Sequence, residues 1–127
     1  MEIKRIPDSE LEIMQVLWMF NVPMTTTAIC EHLNKETESL LATTAKLLSR
    51  LTNRGFVTSY KKGHLKYYTP LVEEEAYLAM ENRSFLERVN HNSIRRFLAS
   101  LAQTKELTKE DIDALRTFIK EQEEHND

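Results

Sequence analysis

Apolar residues near the start of the chain recur at helical spacing. Leu11, Met14, Leu17 and Trp18 fall on one stripe, the three- and four-residue interval that buries one face of a helix. Asp8 or Ser9 stands where a cap is needed, Glu10 and Glu12 lie near the positive end of the dipole, and Asn21-Val22-Pro23 breaks the pattern. A first helix is therefore expected over about residues 8–20. Thr25 offers a hydroxyl cap for a short second helix through Ile29, Cys30 and Leu33, ending near Asn34. A third, about Ser39 to Arg54, has no internal proline or glycine and stops at Gly55, where a left-handed cap is easiest for glycine.

The pattern then changes. Phe56 to Tyr60 predicts a strand, Lys61-Lys62-Gly63-His64 a turn, and Leu65 to Thr69 a returning strand ended by Pro70. Three helices followed by a hairpin are the order of a winged helix, in which the third helix enters a major groove and the hairpin reaches the flanking backbone.

From Glu73 the spacing is helical again, with Tyr77, Leu78, Phe85, Leu86, Val89, Phe97, Leu98 and Leu101 too spread out to close a core alone. A break is expected at Gln103 to Lys105. Thr108-Lys109-Glu110-Asp111 then resembles a capping box, opening a last helix whose Ile112, Leu115, Phe118 and Ile119 form one stripe. These helices either pack back on the winged helix or meet a second copy, and the copy is preferred because roughly 50 residues rarely bury enough by themselves. Leu78, Phe85, Leu86, Val89, Phe97, Leu98, Leu101, Ile112, Leu115, Phe118 and Ile119 are the expected dimer contacts. The expected architecture is mainly α with a small β-hairpin wing: a winged helix-turn-helix DNA-binding domain over 1–71 and a helical dimerisation domain over 72–127. No repeat, low-complexity stretch or Gly/Ser linker interrupts it.

Composition narrows the function. With 41% hydrophobic and 29% charged among 127 residues, the chain has material for packed cores. No apolar run reaches the roughly 20 residues of a membrane span, and no signal-type segment follows Met1-Glu2-Ile3-Lys4-Arg5, so the expectation is a cytoplasmic protein without a membrane partner. Cys30 is the only cysteine, which excludes an internal disulfide and points to a small residue on a buried helix face.

A net charge of −3 argues against nucleic acid until its distribution is counted. Residues 1–70 hold nine Lys or Arg against seven acids (+2), and residues 71–127 hold eight against thirteen (−5), which together give −3. No acid lies between Ser39 and Val72, where Lys46, Arg50, Arg54, Lys61, Lys62 and Lys66 all fall. Such a block is an electrostatic footprint for phosphate. A winged helix used only for protein contacts is the rival from another class, but it has no need to exclude acids from both the third helix and the hairpin.

At 100° per residue the third helix turns Leu40, Leu47, Leu48 and Leu51 to one side and Ala42, Ala45, Ser49 and Asn53 to the other, flanked by Lys46 and Arg50. Small residues let the backbone approach a groove floor, Thr43 and Ser49 can bond bases or phosphates, and Lys46 can reach a guanine edge. In the hairpin, Lys61, Lys62, His64 and Lys66 suit phosphates, with one of Tyr67 and Tyr68 packing inward. Backbone N–H groups at Thr25 to Thr27 suit another phosphate. No nucleophile motif, no phosphate loop among only two glycines and no metal spacing among His32, His64, His91 and His125 is present. The expectation is no catalytic residue, no metal, no cofactor and no enzyme; a metalloenzyme or nuclease is the distant third reading.

The segments Asp8-Ser9-Glu10-Leu11-Glu12-Ile13-Met14 with Trp18, Leu47-Leu48-Ser49-Arg50-Leu51 leading to Gly55, Lys61-Lys62-Gly63 with Tyr68-Thr69-Pro70, Phe85-Leu86 with Arg88, and Leu107 to Ile112 with Leu115 resemble the BlaI/MecI/CopY penicillinase-repressor family, over about Ile6 to Ile119. The resemblance implies a homodimer on a palindromic operator, repressing resistance or stress-response genes until a signal removes it. Departures are visible. Leu40 to Lys46 replaces a Ser-Pro-Lys-Thr-like start of the recognition helix, and His64 stands where Arg is frequent. Copper-responsive members carry a cysteine-rich motif after the position of Cys30, which this sequence lacks. Members inactivated by a regulatory protease are cut at an Asn-Phe bond, and the matching positions here are Ser100-Leu101, which leaves that partner open.

Overall fold

The computed structural model describes residues 2–33 and 39–126. Along the chain come α1 (Asp8–Phe20), α2 (Thr26–Glu31), α3 (Ser39–Asn53), β1 (Val57–Lys62), β2 (Leu65–Pro70), α4 (Glu74–Asn90), α5 (Ile94–Gln103) and α6 (Lys109–His125). The fold is mainly α with one antiparallel hairpin, a winged helix followed by further helices. The expected end of the second helix near Asn34 lies outside the described residues.

Local chemistry sets the ends of these elements. Pro7, at φ −60 and ψ 155, is the cap of α1, and its carbonyl accepts from the N–H of Leu11 at 2.9 Å. Neither Asp8 nor Ser9 caps the helix, because the ring already holds φ at the required value one residue earlier. Asn21 closes α1 in the left-handed region at φ 52. Thr25 caps α2, its hydroxyl oxygen accepting from the Ala28 N–H at 3.1 Å.

The end of α3 is a Schellman motif. Phe56 N–H donates to Leu51 O at 2.9 Å and Gly55 N–H to Thr52 O at 3.1 Å, with Gly55 at φ 81. Phe56 therefore belongs to the helix cap and not to the strand. Lys61 and Lys62, expected in the turn, extend β1 instead, leaving the two-residue turn Gly63-His64. Only the first of these has positive φ (67), as in a type II′ turn. A Cβ at Gly63 would meet nothing within 4 Å, so glycine is required there by backbone conformation rather than by space.

The chain divides into two compact units between Glu81 and Asn82, further along than residues 71 and 72. The reason is visible in the first core, which gathers Ile6, Ile13, Met14, Leu17, Ile29, Leu48, Leu51, Phe56, Val57, Tyr68, Val72 and Tyr77. Tyr77, expected among the later helices, is fully buried here, with Trp18 and Phe56 at ring-centroid distances of 5.9 and 5.7 Å. Its hydroxyl oxygen accepts from Ile6 N–H at 3.0 Å, and Trp18 Nε1–H donates to Val72 O at 2.9 Å. Met24 bridges Tyr68 through two backbone bonds of 3.1 and 2.8 Å, fastening the base of the hairpin to the segment before α2.

In the second unit α4 ends at His91 and Asn92, both left-handed at φ 52 and 61, and Ser93 caps α5 by accepting from Arg96 N–H. Hydrophobic spacing alone does not anticipate this break; the Asn-His-Asn-Ser run that produces it is turn chemistry. The break before α6 falls where expected. Thr108 and Asp111 form a reciprocal capping box at 3.1 and 3.0 Å. Phe85 meets Phe97 edge to face at 6.1 Å. Among described residues 82–126, Asn90 alone is buried, and α5 and α6 bury no side chain.

Candidate nucleic-acid interface

The exposed side of α3 carries Ala42, Thr43, Ala45, Lys46, Ser49, Arg50 and Asn53. Its opposite side seats Leu48 and Leu51 in the core, with Leu40 and Leu47 half-buried. Thr44, which sequence reasoning overlooks, is fully buried on that side with its hydroxyl oxygen unpartnered. Its spacing from Leu40, Leu47, Leu48 and Leu51 was the available signal.

A buried charge holds the end of this helix. Glu10 of α1 is completely buried, and its Oε1 accepts from Arg54 Nε at 2.8 Å, while Oε2 has no partner. Neither residue stands out in the sequence: Glu10 reads as a dipole partner and Arg54 as one basic residue among six. The clue was a carboxylate three and four residues before Ile13 and Met14, on the apolar stripe itself.

Strand alternation sorts the hairpin. In the register, Lys61 faces Lys66, Lys62 faces Leu65, Tyr60 faces Tyr67 and Ser59 faces Tyr68. Buried Val57 and Tyr68 share a face with Lys61 and Lys66, and Lys66 Nζ lies 6.0 Å from the centre of the Tyr68 ring. The other face presents Lys62, Leu65 and the stacked pair Tyr60 and Tyr67, 5.6 Å apart and 15° from parallel. Lys61, Lys62, His64 and Lys66 are all exposed. Thr25 is half-buried and its hydroxyl is already engaged in capping α2. Cys30, expected on a buried face, is half-buried, with its thiol 3.8 Å from Leu40 O.

In the second unit Phe85, Val89, Ile112, Phe118 and Ile119 are exposed, and Leu86, Phe97, Leu98, Leu101 and Leu115 are half-buried. Leu78, exposed as well, belongs to the first unit. Among the described residues no group of three or more His, Cys, Asp or Glu is placed to hold a metal ion, and no helix is long and apolar enough to cross a membrane.

The sequence profile of the penicillinase repressor family matches residues 6–121. The chain belongs to the penicillinase repressor family. This family member is 28% identical over 120 residues to the penicillinase repressor of Bacillus licheniformis, spanning 94% of this chain and 93% of that protein. It is 23% identical over 114 residues to the methicillin resistance regulatory protein MecI of Staphylococcus aureus strain N315, spanning 90% and 92%. The solved DNA-binding domain of the repressor BlaI is similar at 32% identity with a TM-score of 0.50, covering 60% of this chain and 92% of that one. This family member is thus a DNA-binding transcriptional repressor built on a winged helix.

Proposed function

We propose that the chain works as a cytoplasmic homodimer that occupies a palindromic operator and represses resistance or stress-response genes. The observation that carries the dimer is the second unit without a core. Helices α5 and α6 have no fully buried side chain, and Phe118 and Ile119 are 57% and 52% exposed, a state that a second copy of the same stripe would relieve. A two-fold dimer places two recognition helices on half-sites about 34–36 Å apart, or multiples of that.

On each half-site α3 is the reading element. Ala42 and Ala45 permit close approach, Thr43, Lys46, Ser49 and Asn53 offer polar contacts to base edges, and Arg50 flanks them at the backbone. Lys61 and Lys66 are the wing cations assigned to phosphate, with His64 beside them at the turn, and the Thr25 end of α2 is a further backbone neighbour. The acid-free stretch from Ser39 to Val72 supports this reading because phosphate meets no carboxylate there. Repression follows from occupancy, without a chemical step or cofactor. Release by a regulatory protease would have to open α5, which contains both Ser100 and Leu101.

The test is capture of fragmented host genomic DNA by the purified chain at physiological salt, followed by sequencing. Enrichment of an inverted repeat beside promoters is expected. Retention without sequence preference would replace the operator reading with an interaction or architectural module.

A further inference from the structure

The three wing lysines are not equivalent, and we propose that Lys61 and Lys66 together clamp one backbone phosphate while Lys62 takes no part in nucleic-acid binding. The inference rests on the DNA-binding reading above and goes beyond it in dividing the wing by face. Lys61 and Lys66 are directly opposed in the ladder, and like charges so placed repel in the unliganded sheet. Among the described residues neither is within ion-pair distance of an acid, and the sequence provides none between Ser39 and Val72. An anion accepting from both ammonium groups turns that repulsion into two charge-assisted hydrogen bonds.

Direction follows from the shared face. Val57 and Tyr68 turn inward to the core that also holds Leu48 and Leu51 of α3. Lys61 and Lys66 continue the same face beyond the core's edge, and the 6.0 Å approach of Lys66 to the Tyr68 ring places its ammonium there. They therefore project on the core side of the hairpin, where α3 lies, and with α3 as the reading element this is the side of the wing assigned to the flanking backbone. Lys62 lies on the opposite face with Leu65, Tyr60 and Tyr67.

The experiment measures the salt dependence of duplex binding by the full chain and by Lys61→Ala, Lys66→Ala, the double variant and Lys62→Ala. All three side chains are exposed, so the variants fold. One shared phosphate per chain predicts that the double variant makes the slope of log K against log salt shallower by about one unit for each chain bound, hence about two for a dimer on the duplex, each single by less, and Lys62→Ala by nothing. A loss of about two units per bound chain in the double variant, an unchanged slope in it, or a shallower slope in Lys62→Ala would overturn the clamp. If the wild type still prefers one sequence over its scrambled form, only the clamp has failed; a wild type with no such preference defeats the operator reading itself.

Discussion

Arg54 donates its Nε–H to Oε1 of Glu10 at 2.8 Å, joining the residue that follows α3 to the first turn of α1. The two partners are unequal: Glu10 is fully buried and the Arg54 side chain is 43% exposed. Water can serve a deserted arginine there but not a deserted carboxylate. Arg54→Ala is therefore expected to cost about 3 kcal/mol, the low end for stranding a buried charge. Glu10→Gln, which keeps an acceptor, should cost about 1 kcal/mol. Urea unfolding of both variants checks the order, and equal losses would contradict it.

Burial raises the Tyr77 phenol above its ordinary value of 10.0; the bond from Ile6 N–H opposes this and the charge of Glu81 adds to it. The folded protein thus keeps the proton at a pH where the unfolded chain loses it. Stability from this group is complete below about pH 10 and falls as pH rises through the raised folded value. Tyr77→Phe strands the Ile6 amide, at about 1–3 kcal/mol, and should flatten the alkaline decline. Unfolding curves of the two proteins between neutral and strongly alkaline pH show the difference.

Phe118 is more than half exposed on a helix with no fully buried side chain. Phe118→Asp should leave the melting of the first unit unchanged and weaken self-association by about 2 kcal/mol, or roughly 30-fold. Sedimentation equilibrium reads the change, and operator affinity should fall with it. A monomeric wild type would remove the dimer outright.

Lys46 is exposed in the middle of the reading face. Lys46→Ala should lower affinity for the preferred sequence by about 1–3 kcal/mol, roughly 5- to 150-fold, while sparing unrelated duplexes. A uniform loss on all duplexes would assign Lys46 to phosphate.

Much of this structure is legible in the sequence because it rests on local rules. The stripe of α1, the Thr25 cap, Gly55 and the Thr108 capping box each depend on neighbours a few residues away, and each stands where the pattern places it. Contacts distant in sequence are a different matter. Tyr77 sits on a helix whose spacing resembles the later ones, yet its hydroxyl reaches back to Ile6 and its ring to Trp18 and Phe56. Glu10 and Arg54 meet across 44 positions, and although the place of Glu10 on the apolar stripe hints at its burial, no periodicity names Arg54 as its partner. The first wing strand runs two residues further than the pattern suggests because Lys61-Lys62-Gly63-His64 reads as one polar turn, whereas a type II′ turn needs only Gly63 and His64.

The most direct test of an operator-specific dimer is quantitative binding of the purified chain, at physiological salt, to the inverted repeat recovered by genomic capture and to the same duplex with one half-site scrambled. The expected result is two chains per intact duplex, bound at least about 10³-fold more tightly than unrelated DNA, with a large loss when either half-site is destroyed. Equal affinity for the intact and scrambled duplexes, or one chain per duplex at saturation, would contradict the account.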